Sequence, residues 1–157
     1  MAQMNLVPNP GFEQFDTCPP GATTNTLHLA TPWFNPHTFC GAGTPDYFNQ
    51  CGVGSYGVPN NGWGTEPART GVAYAGIYTM NLPYINVREY IEAPLTDTLK
   101  AGKKYVVEFY VSLAEVMGYA VNKVGAYFSD VPIVNSCDSL LPYVPQIVNQ
   151  PGNSLTS

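Results

Sequence analysis

Charge is scarce in this chain: six Lys plus Arg stand against eleven Asp plus Glu in 157 residues, for a formal charge of -5. A surface that tracks nucleic-acid phosphates needs the opposite balance, so nucleic acid is not an expected partner. Also missing is any run of eighteen or more apolar residues, so the sequence predicts no membrane insertion by this chain. There is no close CxxC pair, no GxxxxGK phosphate loop, no HExxH zinc helix and no dinucleotide-binding glycine pattern. Ser112 and Ser129 lack the GxSxG turn of a nucleophile elbow. The start, MAQMNLV, lacks the basic and apolar regions of a signal peptide. If the protein is secreted, the numbering begins near a mature end.

What is present is a chain of ordinary apolar content, 45 %, rich in Tyr, Phe, Asn, Gly and Pro. Its length suits one hydrophobic core, and its composition favours strands joined by specified turns over salt-bridged surface helices. Residues 5–157 are expected to form a single domain.

The second half carries the clearest strand patterns. Residues 72–79, VAYAGIYT, place Val72, Tyr74, Gly76 and Tyr78 on one face and the small Ala73 and Ala75 with Ile77 and Thr79 on the other. Small residues there let another layer approach closely. NVREYIEAPL alternates Val87, Glu89 and Ile91 against Arg88, Tyr90 and Glu92 until Pro94. The strongest pattern is YVVEFYVSLAE, residues 105–115, with Tyr105, Val107, Phe109, Val111 and Leu113 on one face. Another strand is expected over 123–129, a weak one within VPQIVNQ, and a helical turn around DSLL. Short strands without long helical intervals predict an all-β fold, an antiparallel β-sandwich or jelly roll.

Residues 17–71 interrupt this pattern with recurrent Pro and Gly, and predict a long irregular insert fastened by aromatics and cysteines. Cys18, Cys40, Cys51 and Cys137 form an even set, read as disulfides in an oxidising compartment, with three pairings open. Cys18 with Cys51 would close a loop worth about 3 to 4 kcal/mol in chain entropy. The competing reading is zinc held by His37, Cys40, Cys51 and His28, a spacing without the close cysteine pair of structural zinc modules.

Several segments together resemble a known family. NLVPNPGFE at 5–13, TPDYFNQC at 44–51, REYIEAPLTDTLKAGKKYVVEFYVSLAE at 88–115 and KVGAYFS at 123–129 resemble the N-terminal sandwich domain of secreted or outer-membrane-associated Bacteroidetes proteins. That domain often precedes OmpA-like or sorting domains. NPGFE and AGKKYVVEFY are also similar, more distantly, to galactose-binding-like jelly-roll carbohydrate-binding modules. The resemblance implies a secreted, periplasmic or cell-surface sandwich with a glycan or surface protein as partner. It also implies further strands after the point where this chain stops, so the last strands of the domain are expected to be missing. In related modules the glutamate of GFE helps to close a calcium site, which makes Glu13, with Asp16 nearby, the metal expectation.

For glycan binding the candidate residues are Trp33, Asp46, Tyr47, Asn60, Asn61, Trp63, Arg69, Tyr78 and Tyr84. Sugar CH faces pack on flat aromatic rings, and their hydroxyls need directed polar partners. A structural role for the same aromatics, pinning a Pro/Gly-rich segment, stands beside that reading. Catalysis has no recognisable constellation: Glu89 and Glu92, like Glu108 and Glu115, point to opposite faces of a regular strand, against a glycosidase pair. The sequence therefore predicts a non-catalytic accessory domain that binds carbohydrate or a surface component. A structural spacer or protein-interaction domain is the alternative, and a glycan hydrolase a more remote one.

Overall fold

The computed structural model describes residues 4–37, 43–79, 87–118, 121, 123–134 and 140–149. Cys40, Cys137, Phe39, Tyr84 and the Asp138 and Ser139 of DSLL lie outside the described residues.

At the centre lies an antiparallel ribbon of β1 (Asp46–Asn49) and β4 (Ala73–Gly76), in the register Asp46 opposite Gly76 and Asn49 opposite Ala73. Between them β2 (Asn60–Asn61) and β3 (Gly64–Thr65) make a small hairpin. Far along the chain β5 (Gly125–Ala126) pairs with β6 (Ile147–Val148). The helical elements among the described residues are two short 3₁₀ turns, Leu27–Leu29 and Gly54–Tyr56. The fold is mostly β, built from short antiparallel pairs.

Every residue of β1 is buried, so both faces of the ribbon are covered. Successive strand side chains point to opposite sides, and each side has its own cover. On one, Tyr47 and Ala73 join Ala30 in a cluster against which Phe12, Leu29 and Trp33 pack. The small residues of β4 permit that close approach, as the alternation predicts. On the other, Phe48 stacks on Tyr74 at 5.0 Å and meets Trp63 edge-on at 5.4 Å and Tyr56 at 5.6 Å. Gly76 is required here, because a β-carbon would fall 2.7 Å from the Phe48 ring.

Residues 4–35 are held by side-chain hydrogen bonds, since their prolines and turns leave few backbone ladders. Asn9 is the hub: its amide donates to the carbonyls of Gln14 and Thr31, and its side-chain oxygen accepts from the Gln14 N–H. Its own carbonyl accepts from the Trp33 indole N–H at 3.0 Å. Asn9 adopts φ 44°, a left-handed conformation that Asn tolerates better than most residues. Phe12 packs 5.0 Å from Trp33, and its carbonyl accepts from the Tyr47 hydroxyl.

Two expectations change. The stretch 17–71, read as an insert on a sheet, contains β1, β2, β3 and the buried residues Leu27, Ala30, Tyr47, Phe48 and Tyr56. Conversely, 105–115, the strongest strand pattern, pairs with no strand among the described residues. Of the expected β architecture, short antiparallel pairs are what the described residues contain. The reason is long-range: strand propensity is local, whereas pairing requires a complementary edge elsewhere in the chain. The segment around Glu92 is limited likewise to one bridge, in which Phe34 and Glu92 exchange backbone hydrogen bonds.

A disulfide joins Cys18 to Cys51, 33 residues apart, and ties the N-terminal loops to the end of β1. It takes Cys51 out of the alternative zinc set. On chain entropy it contributes about 3 to 4 kcal/mol.

Candidate functional site

The β2–β3 hairpin is built by asparagine turn chemistry. The Asn61 side-chain oxygen accepts from the Trp63 N–H at 2.8 Å, bending the NNGWG turn, while its amide donates to the Tyr74 hydroxyl at 2.7 Å. Gly64 has φ 141°, and the Glu115 carboxylate occupies the space a side chain there would need. That carboxylate accepts from the Thr65 N–H at 2.6 Å. The turn thus presents the Trp63 indole against Phe48 and Tyr56, with its N–H donating to the Tyr78 hydroxyl at 2.8 Å.

Trp63 is neither fully buried nor exposed. Polar groups surround it: Tyr78, Asn61, and the exposed Asn60 and Thr65, whose hydroxyl donates to the Asn60 side-chain oxygen at 3.0 Å. Beside the hairpin lies an open depression of about 200 Å³, lined by Gln50, Val58, Pro59, Pro67, Ala68 and Val72. Burial pushes the Tyr74 hydroxyl up to about 12, with Glu66 adding to the shift and the Asn61 bond opposing it. Tyr74 is therefore neutral at any physiological pH and serves as a hydrogen-bonding group.

Of the nine sugar-binding candidates, Asn60, Asn61, Trp63 and Tyr78 come together here. Trp33 packs on the opposite face of the ribbon. Tyr47 is fully buried and its hydroxyl is engaged by Asn49 and Phe12. Asp46 is also buried, accepting from the N–H groups of Asn25 and Thr26. Burial, with a smaller contribution from Glu89, raises its carboxyl to about 6. Arg69 lies with its guanidinium 3.5 Å from the Tyr110 ring centre, a cation–π contact.

Residues that sequence reasoning did not select are Tyr74, Thr65 and Tyr110, together with a groove of about 440 Å³ lined by Thr17, Thr23, Thr24, Asn25 and His28. Tyr74 could have been found, since it shares a strand face with Tyr78. The groove had no such signal, being assembled from turns.

The carboxylates have structural partners. Glu89 accepts from the Thr44 N–H and hydroxyl with one oxygen and from the Tyr78 N–H with the other, bridging the chain before β1 to the chain after β4. Its place on an apolar face beside Val87 and Ile91 was the sequence signal of burial. Glu92 accepts from the Ile133 N–H, and burial raises its carboxyl. Glu13 accepts from the Val72 N–H at 2.9 Å and the Ala73 N–H at 3.2 Å, and Asp16 from the Thr31 hydroxyl at 3.0 Å. Calcium takes roughly six to eight oxygen ligands. Among the described residues no group of three or more His, Cys, Asp or Glu side chains gathers to hold a metal. Of the histidines, His28 meets the Asn25 carbonyl at 2.9 Å, and the buried His37 meets Tyr90 edge-on at 5.3 Å.

No family model, curated protein or solved structure matches the chain.

Proposed function

We propose that this protein is a non-catalytic, extracytoplasmic accessory domain of the β-sandwich type that binds carbohydrate at the β2–β3 hairpin. The supporting observation is the partly buried Trp63 bordered by Tyr78, Asn60, Asn61 and Thr65. A sugar ring would lay its CH face on the exposed part of the indole, and its hydroxyls would exchange hydrogen bonds with Asn60 and Thr65. The Cys18–Cys51 disulfide is compatible with an oxidising location. Among the described residues no helix is long and apolar enough to cross a membrane.

A glycan array followed by titration tests the reading. Binding should fall in Asn60→Ala and Trp63→Phe while Trp33→Phe, on the other face, keeps it; absence of binding across the array by the folded chain would remove the proposal. Calcium, the expectation attached to Glu13 and Asp16, is tested separately by melting with calcium and with chelator. An ion bound only to the folded state raises the melting temperature, and equal melting removes it.

A spacer or protein-interaction role is favoured by a different observation, the unpaired strand-like segment after residue 103.

A further inference from the structure

Residues 110–117 meet the β2–β3 hairpin and the turn after it at three places. The Val116 N–H donates to the Trp63 carbonyl at 3.3 Å, the Glu115 carboxylate accepts from the Thr65 N–H at 2.6 Å, and the Arg69 guanidinium lies over the Tyr110 ring. Across the hairpin the Glu66 N–H donates to the Pro59 carbonyl, so the neighbouring Thr65 N–H faces the outer edge of β3. The first two contacts therefore fall on either side of Gly64, on backbone groups that a further strand would otherwise take. Here a side-chain oxygen stands in for a strand carbonyl. The Met117 N–H closes the turn on the Ala114 carbonyl at 2.9 Å, which fixes donor and carboxylate on adjacent residues. Glycine is required at 64, where φ is 141° and a β-carbon would strike the Glu115 carboxylate.

We propose, resting on the carbohydrate reading of the hairpin, that the 114–117 turn is a clasp that holds the Trp63 site in its binding arrangement, with Glu115 as the positioning residue. Glu115 acts through Thr65, whose hydroxyl donates to the Asn60 side-chain oxygen at 3.0 Å. With that proton committed, the Thr65 oxygen is left to accept and the Asn60 amide to donate, side by side for two neighbouring hydroxyls of one sugar ring. Hydrogen bonds to an ionised acceptor are roughly twice as strong as neutral ones, so the carboxylate fixes Thr65 more firmly than water would. Freed from Glu115, the Thr65 N–H turns to solvent and the donor–acceptor pair loses its set position beside Trp63. The clasp is thus the point at which the second half of the chain acts on the site.

Amide hydrogen exchange and titration of the whole chain test it, with the array oligosaccharide that the parent binds most tightly as probe. Glu115→Ala should speed exchange of the Thr65 amide and weaken binding about tenfold, the scale of one hydrogen bond to a charged group. Glu115→Gln, which keeps an acceptor oxygen, should restore slow exchange and most of the affinity. Circular dichroism matching that of the parent confirms that each variant is folded. Thr65 exchange indifferent to Glu115→Ala overturns the clasp. Freed exchange with unchanged affinity overturns its hold on the site, as does a glutamine variant no better than the alanine one. A parent chain that binds no glycan at all ends the carbohydrate reading instead, and Thr65 exchange then decides the clasp alone.

Discussion

Residues 95–149 carry a larger share of apolar side chains than residues 4–79 and a similar share of aromatics, yet it is the first region that buries them. In the first region β1 is covered on both faces, and turn asparagines, Asp46 and Glu13 supply the hydrogen bonds that prolines remove from ladders. In the second, one two-residue pairing joins β5 to β6, and the Gln146 side chain extends it through the backbone of Phe128. Val106, Val116, Val131 and Val144 there are each more than half exposed. Apolar content supplies a driving force only where partners bury it; propensity without a facing layer leaves a strand bare.

The contrast is sharpened most by truncating one residue on each side of it. Tyr47→Ala should cost about 3 to 5 kcal/mol, in the range of large-to-small changes at buried aromatics, whereas Val106→Ala should stay within about 0.5 kcal/mol. Denaturant midpoints measure both. Comparable losses would mean that the second region is as tightly packed as the first.

Opening the Cys18–Cys51 bridge, by Cys18→Ser with Cys51→Ser, should cost about 3 to 4 kcal/mol. The loss should be read in the melting of the first region, with little change in the exchange of amides around β5.

The pH dependence should come chiefly from the packed region. Asp46 titrates near 6 in the folded protein against an ordinary 3.8, so the folded state holds its proton more tightly than the unfolded chain. Stability contributed by that proton is fully present below about pH 4 and falls as pH rises to about 6. A shift of this size is on the order of 3 kcal/mol. Glu92, raised by burial, acts in the same direction. Asp46→Asn should flatten the profile of midpoint against pH, and an unchanged slope would locate the titration elsewhere.

Within the packed region the smallest loss is expected at Glu13. Its carboxylate joins the NPGFE turn to the Val72 and Ala73 amides, and Glu13→Ala should cost about 1 to 2 kcal/mol, read from the denaturant midpoint. A neutral result would separate the turn from the ribbon.

Much of the local detail was legible. The alternation in VAYAGIYT located β4 and distinguished its small face from its aromatic one. The prolines and glycines of 17–71 implied irregular backbone, yet the stretch carries β1, β2 and β3. They were misleading about importance, because irregular backbone carries a core when asparagine and threonine side chains satisfy it. The candidate site was half legible. Trp63, Tyr78, Asn60 and Asn61 were named from sequence, but so were Asp46 and Tyr47, which have the same chemistry and sit inside.

By itself the sequence determined the properties that depend on near neighbours: which residues alternate, where the chain turns, and that cysteines were available to bridge. Only the tertiary structure decided that β1 pairs with β4, that Cys18 takes Cys51, that the two tryptophans lie on opposite faces, and that 104–113 pairs with no strand among the described residues. These depend on contacts between residues tens of positions apart, whose energies come from complementary edges and enclosed volume, and periodicity along a strand carries neither.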